Sequence, residues 1–139
     1  MHENQNSMQI KLESIHGSLN YKGTNERGQS FQFSGNKESV SPMESILMAT
    51  AACSSIDIEI FLEKMRQPFD RIEVEVKGVR VDAVPSIFSD IHLHYKIYGK
   101  VKPEKAKKAV EMSMDKYCSV SIMLSAGVNM THSHEVING

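Results

Sequence analysis

Tryptophan is absent from this sequence, cysteine occurs only twice, and neither sign of charge is in excess. With 16 Lys and Arg against 17 Asp and Glu, the net charge is −1. That balance excludes a nucleic-acid binder held by phosphate neutralisation, which needs a basic face. The two cysteines, Cys53 and Cys118, form no CxxC pair and no four-ligand zinc site, and they are too few to staple a small secreted domain. Long apolar runs are also missing. The longest, Ile46 to Cys53, is interrupted by Thr50, and a membrane span needs about 20 residues. No membrane partner is therefore expected. The start of the chain, Met1-His2-Glu3-Asn4-Gln5-Asn6-Ser7, lacks the basic and apolar regions of a signal peptide. The expected compartment is the cytoplasm, where both thiols stay reduced.

What is present is an ordinary globular composition, with 40% apolar and 24% charged residues over 139 positions. That length suits one domain, 1–139, in which residues 1–7 read as a frayed end. Met8 to Ile15 alternates loosely and reads as a strand. Gly17 to Phe33 reads as a hairpin, with Leu19 and Tyr21 on one arm, Phe31 and Phe33 on the other, and a turn within Gly23 to Gly28. Gly35 to Ser41 is a polar loop. Ser41 suits an N-cap and Pro42 a first helical position, so a helix should run from Pro42 to about Arg66, stopped by Pro68. From Ile46 to Cys53 its small and apolar side chains point all round the axis, which demands burial all round. A 139-residue monomer would struggle to wrap such a helix, so a homodimer is expected.

Arg71 to Val81 alternates strictly, with Ile72, Val74 and Val76 opposite Glu73, Glu75 and Lys77. Asp90 to Tyr98 does the same and should pair with it antiparallel, across a loop containing Pro85. Pro103 to Tyr117 reads as an amphipathic helix with Ala106, Val110, Met114 and Tyr117 inward. Cys118 to Leu124 is a short apolar segment and Val128 to Ile137 a final strand. Strands, helix, strands, helix and strand make an α+β pattern.

Two readings of the cysteines follow. As packing, a free Cys is a small buried hydrophobe. As chemistry, Cys53 needs a nearby cation to become a thiolate, because its mid-helix position gains little from the helix dipole. On a helical wheel Cys53 shares its face with Ile46, Ala49, Ile56, Asp57 and Ile60, so that cation must come from another element or a partner chain. If the thiols meet, Cys53 can attack a peroxide O–O bond and become a sulfenic acid. Cys118 can then condense with it to a disulfide that an external thiol resets.

Three segments carry a resemblance. They are Ser41-Pro42-Met43-Glu44-Ser45-Ile46-Leu47-Met48-Ala49-Thr50-Ala51-Ala52-Cys53-Ser54, Pro85 to Tyr95, and Lys116-Tyr117-Cys118-Ser119-Val120-Ser121-Ile122-Met123-Leu124. In this order and spacing the chain resembles the OsmC/Ohr family of peroxide-resistance proteins, most closely its YhfA-like branch. The resemblance implies an OsmC-like α+β fold, with antiparallel sheets around a long buried central helix in an intertwined homodimer. It also implies an active site at the subunit interface, with Cys53 as peroxidatic and Cys118 as resolving thiol. Organic hydroperoxides or hydrogen peroxide would be the substrates and a dithiol or lipoyl-type molecule the reductant, without metal or flavin.

The family's acid directly after the proline is replaced here by Met43, with Glu44 one residue later. Glu44 is either that acid or simply a good first-turn residue. The activating guanidinium is assigned to Arg80 ahead of Arg27. Those departures keep a second function open: a non-enzymatic binding module or redox sensor using the same cleft. His92 and His94 alternate on one strand, as do His132 and His134, a pattern more usual for half-exposed sheet residues than for a zinc or copper site. The nine methionines read as core filler, some able to line a pocket for an alkyl tail. Gly23 and Gly28 make no phosphate loop.

Overall fold

The computed structural model describes residues 7–138. Of the end expected to fray, only Ser7 lies within them. The residues form two compact units that divide inside the long helix, one up to Ile46 and one from Leu47 onward.

The first unit is a three-stranded antiparallel sheet of β1 (Ile10–Ile15), β2 (Asn20–Asn25) and β3 (Ser30–Ser34), in that order. The pairing Leu12↔Gly23↔Phe31 and Ser14↔Tyr21↔Phe33 fixes the faces. Ile10, Leu12, Tyr21, Phe31 and Phe33 share one side, and Lys11, Glu13, Lys22 and Gln32 the other. The apolar side is largely bare: Ile10, Leu12, Tyr21 and Phe31 are exposed.

Helix α1 (Pro42–Lys64) begins in the first unit and continues through the second. Ser41 and Glu44 close its start reciprocally: the Glu44 N–H donates to Ser41 Oγ at 3.1 Å and the Ser41 N–H to Glu44 Oε1 at 2.9 Å. This is a capping box. Its far end closes with Arg66 in the left-handed region (φ 58°) and Gln67 N–H on Leu62 O, a Schellman-type stop. By length and composition α1 is apolar enough to cross a membrane. The run-length count above misses this because Thr50 and Ser54 interrupt the apolar stretch without charging it. In the fold these two hydroxyl residues lie on the helix's buried side.

That buried side consists of Thr50, Ser54, Ile58 and Leu62, one residue per turn. The opposite side repeats with the same period: Met48, Ala52, Ile56 and Ile60 are all exposed. The expectation of burial on every side is therefore corrected for the single chain. One stripe is sealed inside the protein and the other, equally apolar, is left uncovered.

The second unit's sheet has the order β4 (Phe69–Arg80), β5 (Phe88–Gly99) and β6 (Asn129–Ile137). β4 and β5 pair antiparallel, as their alternation predicts. β6 instead runs parallel to β5, which corrects the expectation of antiparallel sheets. A parallel partner needs a long crossover, supplied by α2 (Pro103–Met112), a π-helical turn (Ser113–Tyr117) and α3 (Ser119–Leu124). Ile91, Leu93, Tyr95 and Ile97 point from β5 into the core and are fully buried, with Ile58, Leu62, Ala106, Ala109 and Val110. At Gly78 on β4 a Cβ would sit 2.5 Å from the Phe88 ring, so any side chain there would force that ring to move.

One inward residue is misplaced by the sequence reading. Ala106, Val110 and Met114 are buried, but Tyr117 is 56% exposed. The π turn takes more residues per turn than an α-helix, so the 3.6-residue period no longer applies at its end.

Candidate active site

Cys53 sits on the flank of α1 between the sealed and the bare stripes and is half-buried. Cys118 is fully buried. Its position follows from two local bonds. The Cys118 N–H reaches back to Ser113 O at 2.7 Å, closing the π turn. Its Sγ then accepts the Ser121 N–H at 3.4 Å, so Cys118 itself caps α3. The result brings two cysteines that are 65 residues apart in sequence near enough for Cys53 to act on the Cys118 thiol.

Burial pushes the Cys118 thiol up, the Ser121 hydroxyl and N–H pull it down, and the neighbouring Cys53 pushes it up again. Cys118 is thus a protonated thiol at neutral pH. Beneath the pair lies a hydroxyl–thioether network. The Tyr95 O–H faces Ser54 Oγ at 2.5 Å and Met114 Sδ at 3.2 Å. Ser54 Oγ donates onward to Thr50 O at 2.8 Å, and Ser121 Oγ donates to Met114 Sδ at 3.3 Å. Ser113 Oγ bonds Ser54 O at 2.9 Å. Burial raises the Tyr95 phenol above its ordinary range, opposed by Ser54 and reinforced by both cysteines. Ser54, Tyr95, Ser113, Met114 and Ser121 are therefore tied together in one network.

The auxiliary residues have other partners. Arg80 ends β4, is exposed, and donates its Nε to Ser86 O at 2.7 Å across the β4–β5 loop. It is not among the groups acting on the Cys118 thiol. Arg27 is exposed in the β2–β3 turn, bonded to Gln29. Glu44 is held below its ordinary value by the Ser41 N–H and hydroxyl of the capping box. The four histidines do not converge. In the β5–β6 register His92 faces Thr131 and His94 faces Ser133, while His132 and His134 lie opposite Leu93 and Tyr95, on the other face of the sheet. Among the described residues no group of three or more His, Cys, Asp or Glu is arranged to hold a metal ion. The outer pair instead joins a ladder: Thr131 Oγ1 to His92 Nδ1, His92 Nε2 to Ser133 Oγ, Ser133 Oγ to His94 Nδ1, and His94 Nε2 to Glu135, at 2.7 to 3.0 Å.

A family model described as OsmC-like protein matches residues 35–133, more than two-thirds of the chain. The chain belongs to the OsmC-like family. Protein YhfA of Escherichia coli (strain K12) is 38% identical over 133 residues, covering 94% of this chain and 98% of that one. A crystal structure of a hypothetical protein from Aquifex aeolicus VF5 superposes with a TM-score of 0.90 at 28% identity, covering 97% and 99% of the two chains. An organic hydroperoxide resistance protein OsmC from Legionella pneumophila shares the fold at a TM-score of 0.72 and 14% identity, over 96% and 99%.

In this OsmC-like chain the sequence reading singled out both cysteines but overlooked what surrounds them. Tyr95 is the one hydroxyl-bearing side chain among the inward residues Ile91, Leu93, Tyr95 and Ile97, and a buried phenol needs a partner. Thr50 and Ser54, four apart on an apolar helix, were the matching signal.

Proposed function

We propose that the chain is a cysteine-based peroxidase that reduces organic hydroperoxides or hydrogen peroxide. The observation that carries this reading is the meeting of a half-buried Cys53 with a protonated, buried Cys118. Kinship to the OsmC-like family, which includes hydroperoxide resistance proteins by name, supports it. The Cys53 thiolate attacks the terminal peroxide oxygen. The O–O bond breaks, the alkoxide takes up a proton and leaves as an alcohol, and Cys53 becomes a sulfenic acid. The Cys118 sulfur displaces water from it and forms the Cys53–Cys118 disulfide. A dithiol or lipoyl-type reductant restores both thiols and is itself oxidised to a disulfide. The cycle needs no cofactor beyond that reductant.

The working unit in this reading is a homodimer in the cytoplasm. Two surfaces support it: the bare stripe Met48, Ala52, Ile56 and Ile60, and the uncovered apolar side of the first sheet. A second chain covers both and supplies the cation that Cys53 needs.

A second reading has its own support. Arg80 is engaged with Ser86, and Glu44 with Ser41. With these groups held by other partners, the cleft serves as a binding module or redox sensor that forms the disulfide without turnover. Peroxide consumption with dihydrolipoamide or dithiothreitol separates the two. The peroxidase turns over many equivalents and loses activity in Cys53→Ser, and a tryptic map after peroxide shows the Cys53–Cys118 bridge. A single stoichiometric oxidation favours the sensor. Turnover unchanged in Cys53→Ser would sink the mechanism.

A further inference from the structure

Eight residues beyond Cys53, about 12 Å along α1 at 1.5 Å per residue, Phe61 borders a second feature. Phe61, Lys64 and Met65 face Lys108 and Met112 of α2 and Tyr117 at the end of the π turn, and together they line a cavity of about 270 Å³. Phe61 and Tyr117 meet edge to face, ring centroids 5.2 Å apart and planes at 61°. The walls are two aromatic rings and two thioethers, surfaces suited to an alkyl chain or aryl ring. Lys64 and Lys108 are both exposed, and neither ammonium takes part in an ion pair among the described residues. An apolar cavity lined by two exposed lysines is complementary to one class of molecule.

We propose that this cavity binds amphipathic carboxylates, with the apolar body between Phe61, Tyr117, Met65 and Met112 and the carboxylate between Lys64 and Lys108. Two lysines rather than an arginine fork make this a point-charge contact, so the charge and the apolar body set the selectivity more than the carboxylate's orientation does. Tyr117 lines the cavity and precedes Cys118 in sequence. The inference requires no redox step and stands apart from the peroxidase reading.

The test is a titration of the reduced full-length protein with sodium octanoate, read from the ¹³C methyl signals of its methionines. Met65 and Met112 methyls should shift saturably, and the affinity should fall as salt is added. Neutral 1-octanol should bind at least tenfold more weakly. The double variant Lys64→Glu/Lys108→Glu should lose octanoate while still binding octanol. Cys53→Ser should bind octanoate unchanged, so a failed peroxidase assay leaves this result intact. The proposal is overturned if octanoate leaves the Met65 and Met112 signals unmoved, if octanol binds as tightly, or if the charge reversal has no effect.

Discussion

Replacing Ile56 with Glu puts a charge in the middle of the bare stripe on α1. Met48, Ile56 and Ile60 keep 51%, 59% and 45% of their surface exposed. Full burial of such a side chain contributes about 1.5–3 kcal/mol, so covering the exposed half of each contributes about 1 kcal/mol. A two-fold dimer counts the stripe twice, for a total of about 6 kcal/mol. That lies at the low end of the roughly 4–15 kcal/mol cost of association, so the stripe alone is marginal and the apolar side of the first sheet must contribute as well. In Ile56→Glu, each protomer loses its share and brings a carboxylate into an apolar seam beside its symmetry mate. A penalty of about 4 kcal/mol weakens the dimer about 1000-fold. Sedimentation equilibrium across the micromolar range reads this directly, with far-UV circular dichroism as the check that the helix survives. Wild type should be dimeric and the variant monomeric. A wild type that is monomeric throughout, or a variant that stays dimeric, refutes the reasoning.

Tyr95→Phe removes one donor from Ser54 and Met114 but leaves Ser54 bonded to Thr50 O, so it should cost about 1 kcal/mol and lower Tm by about 3–5 °C in a thermal melt; no change would mean the hydroxyl is not structurally engaged. Glu44→Gln preserves a capping box, so peroxide turnover should stay within about twofold of wild type in the dithiol assay, whereas a large loss would make Glu44 a catalytic acid. Glu44, Glu73 and Asp90 are held below their ordinary values of 4.5, 4.5 and 3.8 by hydrogen bonds led by Ser41, Tyr98 and Asn129. Their stabilisation is complete above those values and is lost as pH falls through the lower folded ones. His134, pushed down by burial, adds a loss that begins below its ordinary 6.5. Cys118 and Tyr95 are raised, so their contribution is complete below 9.0 and 10.0 and is lost as pH climbs through the higher folded values. Tm should therefore plateau between roughly pH 7 and 9 and decline on both sides; a maximum at pH 4 or pH 11 would contradict these environments.

Local chemistry was readable where one residue decides it. Strict alternation in Arg71 to Val81 and Asp90 to Tyr98 gave two strands and their antiparallel pairing, and Ser41-Pro42 marked the first residues of α1. The spacing Ser41-x-x-Glu44 also held the reason Glu44 is engaged, since a capping box needs only those two side chains. Features that depend on distant partners were harder to read. The direction of β6 is set by the length of its crossover, and nothing within Val128 to Ile137 encodes it. The two faces of α1 looked alike because a helical wheel scores Ala, Thr and Ser as similarly small. Only the presence of Tyr95 across from Ser54 shows which side is sealed. The meeting of the cysteines depends on a π turn that a 3.6-residue period cannot anticipate.

That turn sets the phase at which the thiol pair meets. Were Ser113 to Tyr117 to tighten to ordinary α geometry with no residue removed, everything after them would swing by about 100° around the axis. Cys118 would face away from α1 with its side-chain chemistry unaltered. The separation of the two sulfurs is thus set by the winding of one turn, and rewinding it can disconnect them without touching either one.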